Sequence, residues 1–145
     1  MGQCTQKWPD GTFFEGAYIE GEMFEGRLFY PNGNVYVGAF MKNKPALGGE
    51  MFHIDGATVK GNFGGGKVNG YAEFKWPDGR VYNGTWLNDK KHGQGNLIFP
   101  DGRRLHGEWR KGLMHGICNY YPIERYIVLT GKWKNGRWKK WIPKT

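Results

Sequence analysis

The chain has 145 residues, which is enough for one ordinary domain. Its 25 glycines and its 7 Trp, 8 Tyr and 9 Phe favour β-structure over long helices, because each Gly inside a helix costs about 1 kcal/mol relative to Ala. No apolar run approaches the roughly 20 residues of a membrane span. The two cysteines form no CxxC pair and therefore suit neither a disulfide framework nor a zinc site.

Charge is distributed unevenly along the chain. The formal net charge is +8. Residues 1–72 hold 6 Lys+Arg and 7 Asp+Glu, a net charge of −1, whereas residues 73–145 hold 15 Lys+Arg and 6 Asp+Glu, a net charge of +9. The basic C-terminal half predicts an anionic partner at that end.

The N-terminal residues 1–8 read as a short disordered lead without the apolar stretch of a secretory signal. They predict a cytoplasmic protein, with membrane association or membership of a large assembly as further options. Met1-Gly2-Gln3-Cys4 partly resembles an acylation signal, with Gly2 as the myristoylation site and Cys4 as the palmitoylation site.

An internal repeat begins after this lead. Six glycines, spaced by 22 to 24 residues, define it: Gly16, Gly38, Gly61, Gly84, Gly107 and Gly131. A bulky apolar residue stands two positions before each glycine and an aromatic residue two positions after it. A turn-forming residue stands five positions after each one: Gly21, Asn43, Gly66, Asp89, Gly112 and Gly136.

Each unit reads as strand, turn, strand, turn. Tyr82, Gly84 and Trp86 alternate along the first strand and so share one face of the sheet. The bare glycine between them predicts a slot that a ring from a neighbouring unit fills. Pro100-Asp101-Gly102 then closes the unit, with the glycine at a position that needs positive φ.

These features predict an all-β protein, an elongated single-layer antiparallel β-meander of about six stacked hairpins. The expected array covers residues 9–137, followed by a basic, Trp-containing cap or tail at 138–145. Unit six lacks a complete second strand in this interpretation. The predicted units lie near 14–35, 36–58, 59–81, 82–104, 105–128 and 129–137.

The segment 82–95 has the order Tyr-x-Gly-x-Trp, five residues, His-Gly-x-Gly, and 105–116 repeats it with Leu105 in place of the aromatic residue. In this order of residues the chain resembles the MORN (membrane occupation and recognition nexus) repeat family. The resemblance implies a non-catalytic scaffold that binds other proteins, and MORN arrays have also been linked to acidic phospholipids.

No catalytic constellation is evident, so we expect no enzyme, no cofactor and no metal. His92 and His115 occupy the same position in successive units, with no carboxylate or cysteine recurring beside them, which favours a structural role. Gly64-Gly65-Gly66 lacks the following Lys-Ser/Thr of a phosphate-binding loop.

Two surfaces are candidates for binding. The first is the aromatic face, represented by Tyr82, Trp86, Trp109 and Trp133. The second is the basic end, whose cations are Lys132, Lys134, Arg137, Lys139 and Lys140. The alternative for the basic residues is a solvated face that protects an open sheet edge.

The function predicted first is a scaffold or adaptor that binds another protein, with an acidic protein as one option, inside a larger assembly. The alternative is peripheral binding to acidic phospholipid membranes through the basic C-terminal half. A glycan or nucleic-acid binder ranks lower, because nucleic acid calls for a basic stripe along the whole array. Homodimerisation through the end strands or the open faces of the sheet is a further expectation.

Overall fold

A computed structural model describes residues 2–123 and 127–143. Residue 1 of the predicted lead, residues 124–126 of predicted unit five and residues 144–145 of the predicted tail lie outside the described residues. The described residues form one open antiparallel sheet of 13 strands, in which every strand pairs with its neighbours in sequence. The prediction of an all-β, single-layer meander is confirmed.

The strands alternate with two kinds of turn. Their bounds are β1 Gly2–Lys7, β2 Phe13–Ile19, β3 Glu22–Phe29, β4 Val35–Met41, β5 Lys44–Phe52, β6 Thr58–Gly64, β7 Lys67–Lys75, β8 Val81–Leu87, β9 Lys90–Ile98, β10 Arg104–Arg110, β11 Leu113–Tyr121, β12 Leu129–Lys134 and β13 Arg137–Trp141. Strands β2 to β13 make six hairpins, which we number as units one to six.

The turn inside each hairpin has two residues, both with positive φ. Examples are Glu20 and Gly21 with φ of 51° and 82°, and Asn88 and Asp89 with φ of 47° and 68°. This is the type I′ turn, whose twist matches the twist of the flanking strands. The predicted turn formers occupy the second position of this turn in every unit.

The turn between units is equally regular. In the turn at Pro77-Asp78-Gly79, the Trp76 N–H donates to the Arg80 carbonyl at 2.9 Å, and Asp78 Oδ1 accepts the Arg80 N–H at 2.9 Å. The glycine takes a φ of 98°. Backbone hydrogen bonding holds the pKa of Asp78 below its usual value. The turns centred on Asp10, Asn32, Asp55 and Asp101 repeat this geometry.

The N-terminal end of the array differs from expectation, whereas the C-terminal end does not. Residues Gly2–Lys7, expected as a disordered lead, form β1 and pair with β2 from Gly2↔Tyr18 to Lys7↔Phe13. Unit six is expected to lack a complete second strand, and its second strand β13, which pairs with β12, has 5 residues, compared with 8 or 9 in the other units. Neither strand carries the repeat's aromatic pattern, and pairing with the neighbouring strand is what fixes its conformation.

Candidate functional site

The aromatic residues form the core of the sheet's first face, which we call the core face. Tyr82 is fully buried, and Trp86 and Trp109 are buried. Trp133 is half-buried at the edge of the same cluster. The prediction that the aromatic face binds a partner does not agree with this burial. Three of the four proposed residues expose too little of their side chains to contact another molecule.

The rings of the core face pack edge to face across successive units. Tyr82 lies 5.5 Å from Trp86 in its own unit and 5.4 Å from Trp109 in the next, at interplanar angles of 88° and 84°. Tyr36 makes the same pair of contacts with Phe40 at 5.2 Å and Phe63 at 5.0 Å. Such contacts add about 0.5–1.5 kcal/mol beyond the area that they bury. Each ring therefore joins one unit to the next.

The slot beside the repeat glycine is filled from within its own unit, which corrects the expectation of a ring from a neighbouring unit. Gly84 pairs with Gly95 on the adjacent strand. A Cβ on Gly84 would lie 2.5 Å from the Gly95 Cα, and a Cβ on Gly95 would overlap the Tyr82 ring, 2.6 Å from its Cε1. The two strands approach so closely that the Tyr82 ring lies over bare backbone.

The residue opposite the repeat glycine is larger where the side chain that covers it is smaller. Tyr36 and Tyr82 cover Gly49 and Gly95. In unit three the smaller Val59 accompanies Ala72, which pairs with Gly61. In unit five Leu105 accompanies Cys118, which pairs with Gly107. The departures from the repeat pattern thus compensate one another in volume.

Burial raises the pKa of the tyrosines that cover these glycines. Tyr36 is fully buried, and burial raises its pKa to about 12. Its hydroxyl donates to the Ala39 carbonyl at 2.8 Å. The pKa of Tyr82 is also raised by burial. Both tyrosines therefore act as neutral structural groups.

One cation lies inside the aromatic core. The Lys91 Nζ lies 5.0 Å from the ring centroid of Trp76, 5.4 Å from Tyr82, 5.7 Å from Trp86 and 5.6 Å from Trp109. Burial, with a smaller contribution from Arg80, lowers the pKa of Lys91. Lys91 is not among the site residues predicted from the sequence. The sequence does contain an indication that this position is enclosed, because the equivalent residues in the neighbouring units, Val68 and Met114, are apolar.

The second face of the sheet, which we call the opposite face, carries an open apolar groove in units one to three. The groove has a volume of about 980 Å³, and its apolar lining includes Phe29, Val35, Phe52 and Tyr71. Phe52 is 40% exposed and Tyr71 is 61% exposed. Three charged residues of alternating sign border these side chains: Arg27, Glu50 and Lys60. We call this surface the opposite-face groove.

The opposite face changes character in the C-terminal units. Asn96 Nδ2 donates to Asn83 Oδ1 at 3.3 Å, and His106 Nδ1 lies 2.8 Å from Asn96 Oδ1. The Thr130 hydroxyl donates to Asn119 Oδ1 at 2.8 Å. These polar side chains form hydrogen bonds with one another on the face that carries the apolar groove in units one to three. The groove is therefore a feature of the N-terminal units.

The basic end is the hairpin of β12 and β13, and all five of its predicted cations are exposed. Lys132 pairs across the strands with Lys140, and Lys134 pairs with Arg137. Like charges directly opposite one another in a sheet are destabilising. None of the ion pairs formed by the described residues includes these cations. The hairpin therefore presents positive charge that is not neutralised within the described chain.

The histidines and cysteines are dispersed. Lys111 donates its N–H to His92 Nδ1 at 3.4 Å, and Asn34 Nδ2 lies 3.3 Å from His53 Nδ1. Cys118 is buried against Gly107, and burial raises the pKa of its thiol. Cys4 is exposed on β1, and its acylation together with Gly2 stays a prediction. Across residues 2–123 and 127–143, no group of three or more His, Cys, Asp or Glu residues could hold a metal ion.

Fold and surfaces together define a repeat protein built from stacked β-hairpins. The sequence model of the MORN repeat matches four segments of the chain, at residues 1–13, 60–79, 82–103 and 106–122. The chain therefore belongs to the MORN-repeat family, whose members are typically non-enzymatic and are generally associated with protein or membrane interactions. The first match contains β1, in agreement with its place in the sheet. A comparison with curated proteins found no significant match.

In the part of the chain that the structure describes, no helix is long and apolar enough to cross a membrane.

Proposed function

We propose that this chain is a non-catalytic scaffold whose opposite-face groove binds an apolar segment of another protein. The observation that carries the proposal is the cluster of exposed large apolar side chains in the groove, with Phe52 and Tyr71 well exposed. Contiguous apolar patches on soluble domains mark interaction sites, whereas single exposed apolar residues are ordinary.

The chemistry of the groove indicates the kind of segment that it would bind. Phe29, Val35 and Phe52 offer an apolar floor for two or three apolar side chains. Arg27, Glu50 and Lys60 alternate in charge beside that floor, so an occupant with both acidic and basic flanking residues is complementary to it. A uniformly charged ligand such as nucleic acid would meet Glu50 between the two cations.

Selection from a displayed library of random 16-residue peptides tests this proposal. We expect the peptides bound by the wild-type protein to be enriched in apolar residues. Phe52→Ser and Tyr71→Ser should each raise the Kd of these peptides by tenfold or more. The matched control is Ile117→Ser, because Ile117 is 53% exposed on the same face but lies in unit five. Selected peptides that bind both groove variants as tightly as the wild type would refute the proposal.

The second candidate function is binding of acidic phospholipid surfaces through the basic end. The like-charge pairs of β12 and β13 support it, because an anionic surface would relieve their repulsion. Trp138 and Trp141, 48% and 44% exposed, add the composition of an interfacial anchor. Changing Lys134, Lys139 and Lys140 together to Glu should then abolish co-sedimentation with phosphatidylserine vesicles at low salt. If the wild-type protein does not co-sediment with such vesicles, this candidate function is refuted.

A further inference from the structure

The hairpin turns of successive units form one long edge of the sheet, which we call the tip edge. The last cross-strand pair before each turn contains a cation in units two to six: Met41↔Lys44, Gly64↔Lys67, Leu87↔Lys90, Arg110↔Leu113 and Lys134↔Arg137. All of these cations are exposed. The row begins in the N-terminal half, where the net charge gives no sign of it.

Hydrogen bonds hold neighbouring tips together. The Gly66 N–H donates to the Pro45 carbonyl at 3.0 Å, and the Asp89 N–H donates to the Val68 carbonyl at 3.0 Å. Gly112 and Gly136 make the equivalent bonds to Lys91 and Met114, each at 2.8 Å. Each turn is thus fixed to the unit before it. The backbone positions that carry the cations are consequently fixed in a row, so binding a ligand along it costs no ordering of the backbone.

The positive charge of this row is not neutralised by the described chain. The four ion pairs between described residues involve Arg27, Lys75, Arg80 and Arg103, and none of these residues lies at the tip edge. The aspartates of the inter-unit turns lie at the other long edge. Their carboxylates accept backbone N–H groups there, as Asp101 does from Arg103. In units two to six the tip turns hold one carboxylate, Asp89, which accepts the Val68 N–H at 2.8 Å. The sheet is therefore polarised across its width, with a tip edge that is basic in sum over these units.

Apolar side chains interrupt the row of cations. Met41, Leu87 and Leu113 are 54%, 52% and 48% exposed, and each lies directly opposite or beside a tip cation. Unit one differs, since its tip carries Glu20 and Glu22. A ligand for this edge must offer negative charge and apolar groups over units two to six, and it would be repelled at unit one.

We propose that the tip edge binds an extended acidic polypeptide segment with interspersed apolar residues. The proposal rests on the scaffold function and names a second surface that would bind a protein partner. Adjacent units are about 10 Å apart, because each contributes two strands spaced by about 4.8 Å. An extended chain covers that distance in about three residues, so acidic groups that recur every third residue match the row.

Two other anionic ligands fit this edge less well. Neighbouring strands of a sheet are rotated by about 20–25° relative to each other, so an edge that runs from β5 to β13 winds, and a planar membrane meets only part of it. A flexible chain follows the whole edge. Nucleic acid supplies the negative charge, but its phosphates make no favourable contact with the apolar side chains of Met41, Leu87 and Leu113.

Fluorescence anisotropy with a labelled 18-residue peptide, six repeats of Glu-Glu-Leu, tests the proposal. The triple variant Lys44→Glu, Lys67→Glu, Lys90→Glu should raise the peptide's Kd by at least thirtyfold. The control triple variant changes Lys7, Lys75 and Arg104 to Glu, which are exposed but lie away from both the tip edge and the groove. It has the same net charge and should raise the Kd by less than fivefold. Replacing Leu by Ser in the peptide should weaken binding to the wild type by at least threefold.

Three results would overturn the proposal. The first is an equal loss in both triple variants, which would show that net charge alone attracts the peptide. The second is the absence of peptide binding at low salt. The third is a single-stranded 20-mer DNA, or a phosphatidylserine vesicle, that binds more tightly than the peptide and depends on the same three lysines. The peptides selected for the groove are measured on the same variants. Their unchanged affinity would show that the scaffold function survives even where the tip-edge proposal fails.

Discussion

The contact between the repeat glycine and its cross-strand neighbour sets what each unit can hold. At Gly84 and Gly95 the two backbones approach so closely that neither position has room for a methyl group. That approach places the Tyr82 ring over Gly95, where it reaches the aromatic residues of two units. Unit three meets the same constraint in another way. There the smaller Val59 takes the place of the tyrosine and the larger Ala72 takes the place of the cross-strand glycine.

This pairing predicts a favourable coupling between Tyr82→Val and Gly95→Ala. Gly95→Ala alone should cost about 1–3 kcal/mol of unfolding free energy, because the added methyl overlaps the Tyr82 ring. Tyr82→Val alone should cost about 2–4 kcal/mol through the cavity that it leaves. The double variant reproduces unit three, so its loss should be smaller than the sum by about 1–3 kcal/mol, as measured by urea denaturation.

A control separates this coupling from a general loss of stability. Tyr36→Val removes an equivalent ring from unit two, where Gly49 and not Gly95 lies beneath it. Combined with Gly95→Ala, it should be additive within about 0.5 kcal/mol. If the Tyr82 pair were additive too, the ring and the glycine would not share one space.

The hairpin turn is the element that gives the array its regularity. All six turns take positive φ at both positions, and the second position holds Gly, Asn or Asp in every unit. The residues at the first position are less well suited to the type I′ turn. Glu20, Lys42 and Lys111 occupy it with φ of 51° to 52°, a conformation in which an ordinary side chain is strained.

Glu20→Asn should stabilise the protein by about 0.5–1 kcal/mol, because Asn-Gly is the preferred pair for a type I′ turn. The expected rise in melting temperature is about 2–4 °C for a chain of this size, as measured by calorimetry. Glu22→Asn is the matched control. It removes the same charge from the adjacent strand position and should give no increase, since Asn is disfavoured in strands. A rise of the same size in both variants would assign the effect to charge.

The whole molecule is a one-dimensional array in which each unit contacts its neighbours in sequence. Stability in such arrays is the sum of unit terms and nearest-neighbour terms, and no central core has to be rebuilt when the length changes. The edge-to-face aromatic contacts and the tip-to-tip hydrogen bonds are the nearest-neighbour terms here.

Deletion of residues 59–81 should therefore leave a folded, shorter protein. The deletion joins Thr58 to Tyr82, and Thr58 occupies the position in β6 that Val81 occupies in β8, so the strand faces stay in register. Far-ultraviolet circular dichroism should keep its β-sheet form, with one cooperative melting transition.

Deletion of residues 59–69 is the control. It removes nearly all of β6 and the start of β7, so the turn after β5 leads directly into the rest of β7. That strand runs in the same direction as β5, and the antiparallel order is lost. Loss of the cooperative transition is expected. Two deletions that behave alike would argue against independent units.

Sequence alone determined the repeat period, the alternation of strands with turns and the chemistry of both turn types. These features are local. A residue such as Asp89 or Gly102 sets the backbone angles of its own turn, and residues two apart share a face whatever the tertiary structure. The MORN resemblance of 82–95 and 105–116 added the family and, through it, the general class of function.

Tertiary structure decided which surfaces remain free. The same alternation that puts Tyr82, Trp86 and Trp109 on one face cannot tell whether neighbouring units leave that face open or bury it, and burial removed them as a binding surface. Pairing with the next strand, not sequence pattern, made β1 and β13 part of the sheet. Contacts between units enclosed Lys91 in aromatic rings, left Phe52 and Tyr71 open in the groove and aligned Lys44, Lys67 and Lys90 along one edge. Such relations join residues of different strands and units, and the packing of whole strands brings them together.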